Sequence, residues 1–210
     1  KGVSYCIPSG NFGNIFAGYI AKKIGLPIHH LIAATNKNDI LDRVIQTGIY
    51  KREKVFKTIS PSMDIQVSSN FERLIFELYN RDSNIINNLM IDFKNKGKFI
   101  IEGLFLHDLK EKFWSGSSNE KETKLILKDT LIKFQELVCP HTAVGLKVSN
   151  DYLKAKNSKC NVITLATAHP AKFPDAVLRA TNVKPKLPER LKSIMLEEEK
   201  YFAMSNSIDD

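Results

Sequence analysis

The sequence predicts an α/β protein with a mainly parallel sheet covered by helices. Three observations carry that prediction. An apolar run at residues 3–7 ends at Pro8, crosses the uncharged turn Ser9-Gly10-Asn11-Phe12-Gly13-Asn14, and enters an amphipathic stretch. A second apolar run follows at 28–34, so two strands flank one helix in a βαβ unit. A third run comes late, at 161–166, after two long helical patterns. Alternation of this kind builds a parallel sheet.

Each element has its own signal. The first helix, 14–24, is closed by Gly25 and Pro27. Residues 39–46 read as a short helix ended at Gly48, and 51–68 as irregular chain. A helix follows at 70–79 with Asn70 as its cap. Residues 84–114 hold short helices and a Lys/Gly-rich turn at 95–98, and we read 80–137 as a helical insertion. Within it, Leu125, Leu127, Leu131, Phe134 and Leu137 give 119–137 a broad apolar face. Another helix spans 142–156, then a buried strand at 161–166, the loop 167–173, and short closing helices. No internal repeat or low-complexity segment interrupts the chain.

A chain of 210 residues can bury one good-sized core. No apolar run is long enough to span a bilayer, so no membrane partner is expected. The net charge of +8 raises nucleic acid as a partner. Yet Lys and Arg are scattered, and the clusters at 51–57 and 94–98 sit among acids or beside Gly97, with no interleaved aromatics to stack on bases. A solvated lysine-rich surface and no nucleic-acid partner is the expectation. Cys6, Cys139 and Cys160 are few, odd in number and without metal spacing. They read as reduced, buried thiols in a cytoplasmic protein with no metal site. No signal-peptide or transit-peptide pattern is seen.

The turn after the first strand has the make-up of an anion site. Uncapped N–H groups and the helix dipole favour negative charge at a helix start. Gly10 and Gly13 let the backbone curl close to an oxyanion, and Ser9, Asn11 and Asn14 add neutral donors. The turn is not a Walker A loop, lacking Gly-Lys-Ser/Thr, and its glycines do not fit the dinucleotide fingerprint. The same residues also suit a capped strand–helix turn with no ligand. Thr167, at the end of the third strand, sits where open α/β sheets hold ligands, and equally suits a threonine capping the next turn.

Five segments carry a resemblance. Pro8-Ser9-Gly10-Asn11-Phe12-Gly13-Asn14, with Ala17-Gly18 and Ala21-Lys22 behind it, resembles the cofactor-phosphate loop of the threonine synthases. In order, Ala33-Ala34-Thr35-Asn36-Lys37-Asn38-Asp39, Ser60-Pro61-Ser62-Met63-Asp64-Ile65 with Ser68-Ser69-Asn70-Phe71-Glu72-Arg73, Pro140-His141-Thr142-Ala143-Val144-Gly145 and Ala166-Thr167-Ala168-His169-Pro170-Ala171-Lys172-Phe173 resemble further segments of that family. Together they reach from residue 7 to about 180, with looser likeness across 80–137.

The resemblance implies a fold-type-II, tryptophan-synthase-β-like architecture that uses pyridoxal 5′-phosphate. Gly10, Asn11, Phe12, Gly13 and Asn14 would cradle the cofactor's phosphate, and Asn11 would reach the pyridine hydroxyl. Thr167 would meet the pyridine nitrogen, leaving it largely neutral where a carboxylate would keep it protonated. The implied reaction converts O-phospho-L-homoserine and water to L-threonine and phosphate. Asn36, Arg43, His169 and Lys172 are candidate substrate residues. Arg43 equally suits a helix-surface ion pair, His169 a local hydrogen bond and Lys172 a solvated helix start. His141, at a helix start, reads as neutral and structural.

Two departures matter. The family's Asp before Pro-His is Cys139 here. The lysine that forms the Schiff base is expected upstream of Lys1, so no catalytic residue is assigned in this chain. Phe93-Lys94-Asn95 has a superficial likeness to the family's Phe-Lys-Asp, but it lies downstream in a polar, exposed stretch, and we reject Lys94. Residues 1–210 thus read as the C-terminal part of a cofactor-binding catalytic domain, inactive alone. Ser207 reads as the cap of a helix that does not follow. Another fold-type-II lyase or dehydratase, or a non-catalytic phosphate-binding homologue, stays open as an alternative. The oligomeric state is not legible.

Overall fold

Alternation along the first two strands leaves two apolar faces, and the fold is built to cover both. The computed structural model describes residues 2–156 and 160–207. Strand β1 (Val3–Pro8) and strand β2 (Ile28–Thr35) run parallel, with Cys6 opposite Ile32 and Ile7 opposite Ala33, and helix α1 (Gly13–Lys23) joins them. Helix α2 (Ile40–Thr47) stops at Gly48, which adopts the left-handed conformation. Strand β3 (Ile49–Lys51) then opens the segment read as irregular; at three residues it is too short to show an alternation. Helix α3 (Phe71–Leu78) and helix α4 (Ser83–Lys96) lead into strand β4 (Lys98–Ile100), which pairs antiparallel with β3, Tyr50 opposite Phe99.

The reading of 80–137 as a helical insertion needs correcting. Helix α5 (Gly103–Lys112) is followed by strand β5 (Phe113–Ser117), which pairs in parallel with β2 in the main sheet. Ile86, Phe99, Ile101, Leu109 and Phe113 all enter the larger core. The run Phe113-Trp114-Ser115-Gly116-Ser117 is only half apolar, which hid it as a strand.

Helix α6 (Glu120–Phe134) opens with a capping box between Asn119 and Glu122. Its expected broad apolar face is narrower: Thr123 and Leu127 are buried, whereas Leu125 and Phe134 are exposed. Helix α7 (Pro140–Ala155) precedes strand β6 (Val162–Thr164), and helix α8 (Pro174–Thr181) follows. The main sheet has the order β5-β2-β1-β6, all parallel. A buried strand is expected here; among the described residues strand β6 lies at the edge of the sheet, and Ile163 is exposed. Residues 208–210 of the expected terminal helix start lie outside the described residues.

One face of the sheet places Ile7, Leu31 and Ala33 against Ile15, Leu41, Phe71 and Phe113. The other places Cys6, Ile32 and Ala34 under Val144, Val148 and Tyr152 of α7. Gly145 lets α7 come close: a Cβ there would stand 2.8 Å from Thr164 and 2.9 Å from Pro8. Cys6 and Cys139 are buried and Cys160 is half-buried, a partial departure from three buried thiols. Among the described residues no helix is long and apolar enough to cross a membrane.

Candidate functional site

The chain leaves β1 toward β2 on one side and returns to pair β6 on the other. Between the carboxyl ends of β1 and β6 the connections therefore diverge, and a crevice opens there. It is a cavity of about 270 Å³ lined by Pro8, Ser9, Gly10, Asn11, Gly13, Asn14, Ser62, Met63, His141, Thr167, Ala168 and Lys172. The loop after β1 and the loop after β6, far apart in sequence, share one wall.

The shape of the first loop follows from Phe12. This residue sits in the left-handed region, φ 65° and ψ 2°, immediately before α1. Such a conformation is unfavourable for a side chain with a Cβ by about 1–2 kcal/mol. Burial holds it: Phe12 is fully buried, with ring centroids 5.2 Å from Phe71 and 5.8 Å from Phe113. The peptide unit between Asn11 and Phe12 is fixed on both sides. The Phe12 N–H donates to Ser9 Oγ at 3.0 Å, and the Asn11 carbonyl accepts from the backbone and side chain of Asn70. Asn70 stands at the cap position of α3, but its side chain makes no cap bond; it is spent on Asn11.

Phe12 thus gives the loop its form. Its ring is in the core and its N–H donates to Ser9 Oγ. Gly10, Asn11, Gly13 and Asn14 are in the cavity wall, and no side chain caps the first turn of α1. A Cβ on Gly10 would meet Ile65 and the Ser62 carbonyl, each at 3.1 Å. The loop and the turn Pro61–Met63 are therefore packed against each other.

Thr167 and Lys172 line the cavity, whereas Asn36, Arg43 and His169 do not. Asn36 is buried, donating to Thr58, Ser60 and Asp64 and accepting from the Asn38 N–H at 2.8 Å. Arg43 donates to Asp39, the Lys51 carbonyl and Gln66. Both knit the irregular segment to the sheet, which uses the donors a substrate would need. His169 accepts from the Ala171 N–H at 3.1 Å, the local bond that was its other reading. Lys94 is exposed on α4 and is not part of the cavity wall.

Ser62, Met63 and His141 are cavity residues to which the sequence gave no ligand role. Only the fold brings residues 60–65 beside residues 8–14, and no local pattern records that. His141 Nε2 accepts from the Ser62 N–H at 3.3 Å. Its pKa falls to about 4, because burial disfavours the charged ring and Lys172 repels it, against a smaller opposing pull from Asp64. The neutral ring agrees with the expectation from the sequence, and burial is its main cause. Cys139 replaces the missing Asp as the cap of α7, its Sγ accepting from the Thr142 N–H at 3.4 Å.

The donors present fit a phosphate ester. The wall offers an uncapped helix start, neutral amide and hydroxyl groups and one ammonium, and it contains no carboxylate. Among the described residues no cluster of metal-ligating side chains occurs.

Residues 142–210 match the family described as threonine synthase, C-terminal. A threonine synthase of Pseudomonas aeruginosa is 37% identical over 99% of this chain, and one of Saccharomyces cerevisiae is 41% identical over 92%. The chain spans only 44% and 42% of those relatives' lengths. The crystal structure of threonine synthase from Brucella melitensis with bound pyridoxal phosphate superposes with a TM-score of 0.91 at 45% identity, over 100% of this chain and 44% of that one.

Proposed function

The chain belongs to the threonine synthase family, and on that premise we propose that its cavity holds pyridoxal 5′-phosphate in an enzyme making L-threonine and phosphate from O-phospho-L-homoserine and water. The observation that carries this reading is the uncapped start of α1, turned into a cavity without carboxylates by a left-handed Phe12. The cofactor, when bound, supplies an electron sink for the charge left by the substrate's lost α proton.

This chain's part is to bind and orient. Gly10, Asn11, Gly13 and Asn14 would hold the cofactor's phosphate, with helix N–H groups offsetting its charge. The Ser9 hydroxyl accepts from Phe12 and keeps its own proton to donate. Thr167, in the cavity wall, would meet the pyridine nitrogen with a hydroxyl, which would leave that nitrogen largely neutral. The buried thiols Cys6 and Cys139 support a reducing, cytoplasmic setting.

The test uses the full-length protein that carries this chain. We expect saturable uptake of pyridoxal 5′-phosphate, seen as a change in its absorbance, and release of phosphate and threonine from O-phospho-L-homoserine. Gly13→Asp, which puts a carboxylate at the helix start, should abolish uptake. Undiminished uptake by that variant would remove the cradle from the reading. Ammonia and a keto acid as products would assign a different lyase.

A further inference from the structure

Residues 58–65 form no strand, and Pro61–Met63 is their one short helical turn. Yet this segment supplies Ser62 and Met63 to the cavity wall and packs Ile65 and the Ser62 carbonyl against Gly10 of the cradle. Its hold is a side chain. Asp64 Oδ1 accepts from Asn36 Nδ2 at 2.7 Å, Asn38 Nδ2 at 3.1 Å and the Thr58 hydroxyl at 2.6 Å. Asp64 Oδ2 accepts from the Thr58 N–H at 2.7 Å and so closes residues 58–64 into a ring. Asn36 and Asn38, both buried just beyond β2, tie that ring to the sheet. On the far side the Ser62 N–H donates to His141, and Met63 enters the core beside Cys6 and Ile32.

Each of these bonds is donated to Asp64. A carboxylate accepts at both oxygens, whereas an amide would turn an NH2 group toward one of the donors. Bonds to a charged acceptor are also about twice as strong as neutral ones. In every other respect a carboxylate is adverse here. Its charge acts on His141 in the cavity wall, and a negative charge so close opposes the binding of an anion. Asp64 itself is not one of the wall residues.

We propose that Asp64 is a positioning residue for the cofactor site: through the turn Pro61–Met63 it holds Ser62 and Ile65 against Gly10 and so keeps the curl of the cradle. This rests on the cofactor occupying the cradle, as argued above. The charge of Asp64 works against a bound phosphate, and its hydrogen bonds work for it. The two effects have opposite signs, so one substitution separates them.

The experiment titrates pyridoxal 5′-phosphate into the full-length protein by absorbance, at a temperature where the melting curve of each variant shows it folded. Asp64→Asn is nearly isosteric and removes a negative charge, yet it should weaken uptake about tenfold. Asn36→Asp combined with Asp64→Asn exchanges donor and acceptor across that pair and restores the net charge. The combination should recover most of the lost affinity. Thr58→Val removes one donor from the carboxylate and should weaken uptake about threefold, which keeps the proposal testable where Asp64→Asn fails to fold. Uptake that is unchanged or tighter in the folded variants would overturn the proposal, leaving Asp64 a source of stability alone. A combined variant no better than Asp64→Asn would overturn it too. Wild type that takes up no cofactor would instead sink the cradle reading, and this inference with it.

Discussion

Asn70 holds the carbonyl of Asn11 twice, through its backbone N–H at 3.1 Å and its side-chain Nδ2 at 2.9 Å. A residue at the start of α3 thereby fixes the peptide that leads into α1. The side chain lies beside the helix start as well: a Cβ on Gly13 would stand 3.5 Å from Nδ2.

Asn70→Ala should cost roughly 0.5–1.5 kcal/mol of stability and weaken cofactor uptake up to about tenfold. Asn70→Asp separates two explanations. Asp is as good a helix cap as Asn, so a purely helical role leaves stability intact. A site-holding role makes Asp worse than Ala, because it cannot donate to Asn11 and brings a negative charge to the phosphate's place. Denaturant melts and absorbance titrations of the two variants decide between them.

Phe12 joins strain to packing. Phe12→Ala should destabilise by about 3–5 kcal/mol, as expected for emptying a filled aromatic site. Phe12→Gly removes the same ring but relieves the left-handed backbone, and should be the more stable of the two by about 1 kcal/mol. Urea denaturation gives both numbers. An Ala variant within about 1 kcal/mol of wild type would mean that Phe71 and Phe113 do not hold the loop.

Gly145 opposes two rules. In mid-helix, Gly→Ala normally stabilises by up to about 1 kcal/mol. Here the added methyl would meet Thr164 at 2.8 Å and Pro8 at 2.9 Å, so Gly145→Ala should instead destabilise by about 1–3 kcal/mol. The push falls on the ends of β1 and β6, where the cavity opens. Cofactor uptake should therefore fall together with the melting temperature.

These residues show what sequence can and cannot convey. The βαβ unit was legible because the apolar runs around Ile7 and Leu31 flank a helix with glycine and proline at its end. The loop from Gly10 to Asn14 was legible for its chemistry: small, uncharged and placed before a helix. The strand at Phe113–Ser117 was hidden because its buried positions include Ser115, whose hydroxyl is satisfied by Asp42 and Gln46 at a distance no local pattern records. Asn36 and Arg43 looked like site residues because they follow a strand end. What they bind, the segment from Lys51 to Gln66, is settled by tertiary contacts alone. That the Phe12 ring turns into the core was not legible, since a loop's sequence does not say which of its members faces inward.

Acid should loosen the fold from the histidines first. His30 and His141 both have pKa values lowered to about 4, chiefly by burial. His30 is further opposed by His29, Lys156 and Lys22, and its Nδ1 lies 2.7 Å from the Tyr152 hydroxyl. An unfolded histidine takes up a proton near pH 6.5, while these two stay neutral until about pH 4. Between those values the unfolded state binds more protons, so stability is full above about pH 6.5 and declines as pH falls toward 4. Nearer the carboxylate range other groups enter. Glu77, lowered by Lys23 and Arg81, adds to the loss, whereas Asp42, raised by burial, works against it. The window above pH 5 therefore isolates the histidines. His30→Phe should flatten the slope there, and so should His141→Gln. The second site carries a local signature too. Protonating His141 removes the lone pair that accepts from Ser62, so the protection of the Ser62 amide against exchange, taken relative to the intrinsic rate at each pH, should fall on acidification before global unfolding. A stability that stays level from pH 7 to 5 would mean that neither ring is held neutral by its surroundings.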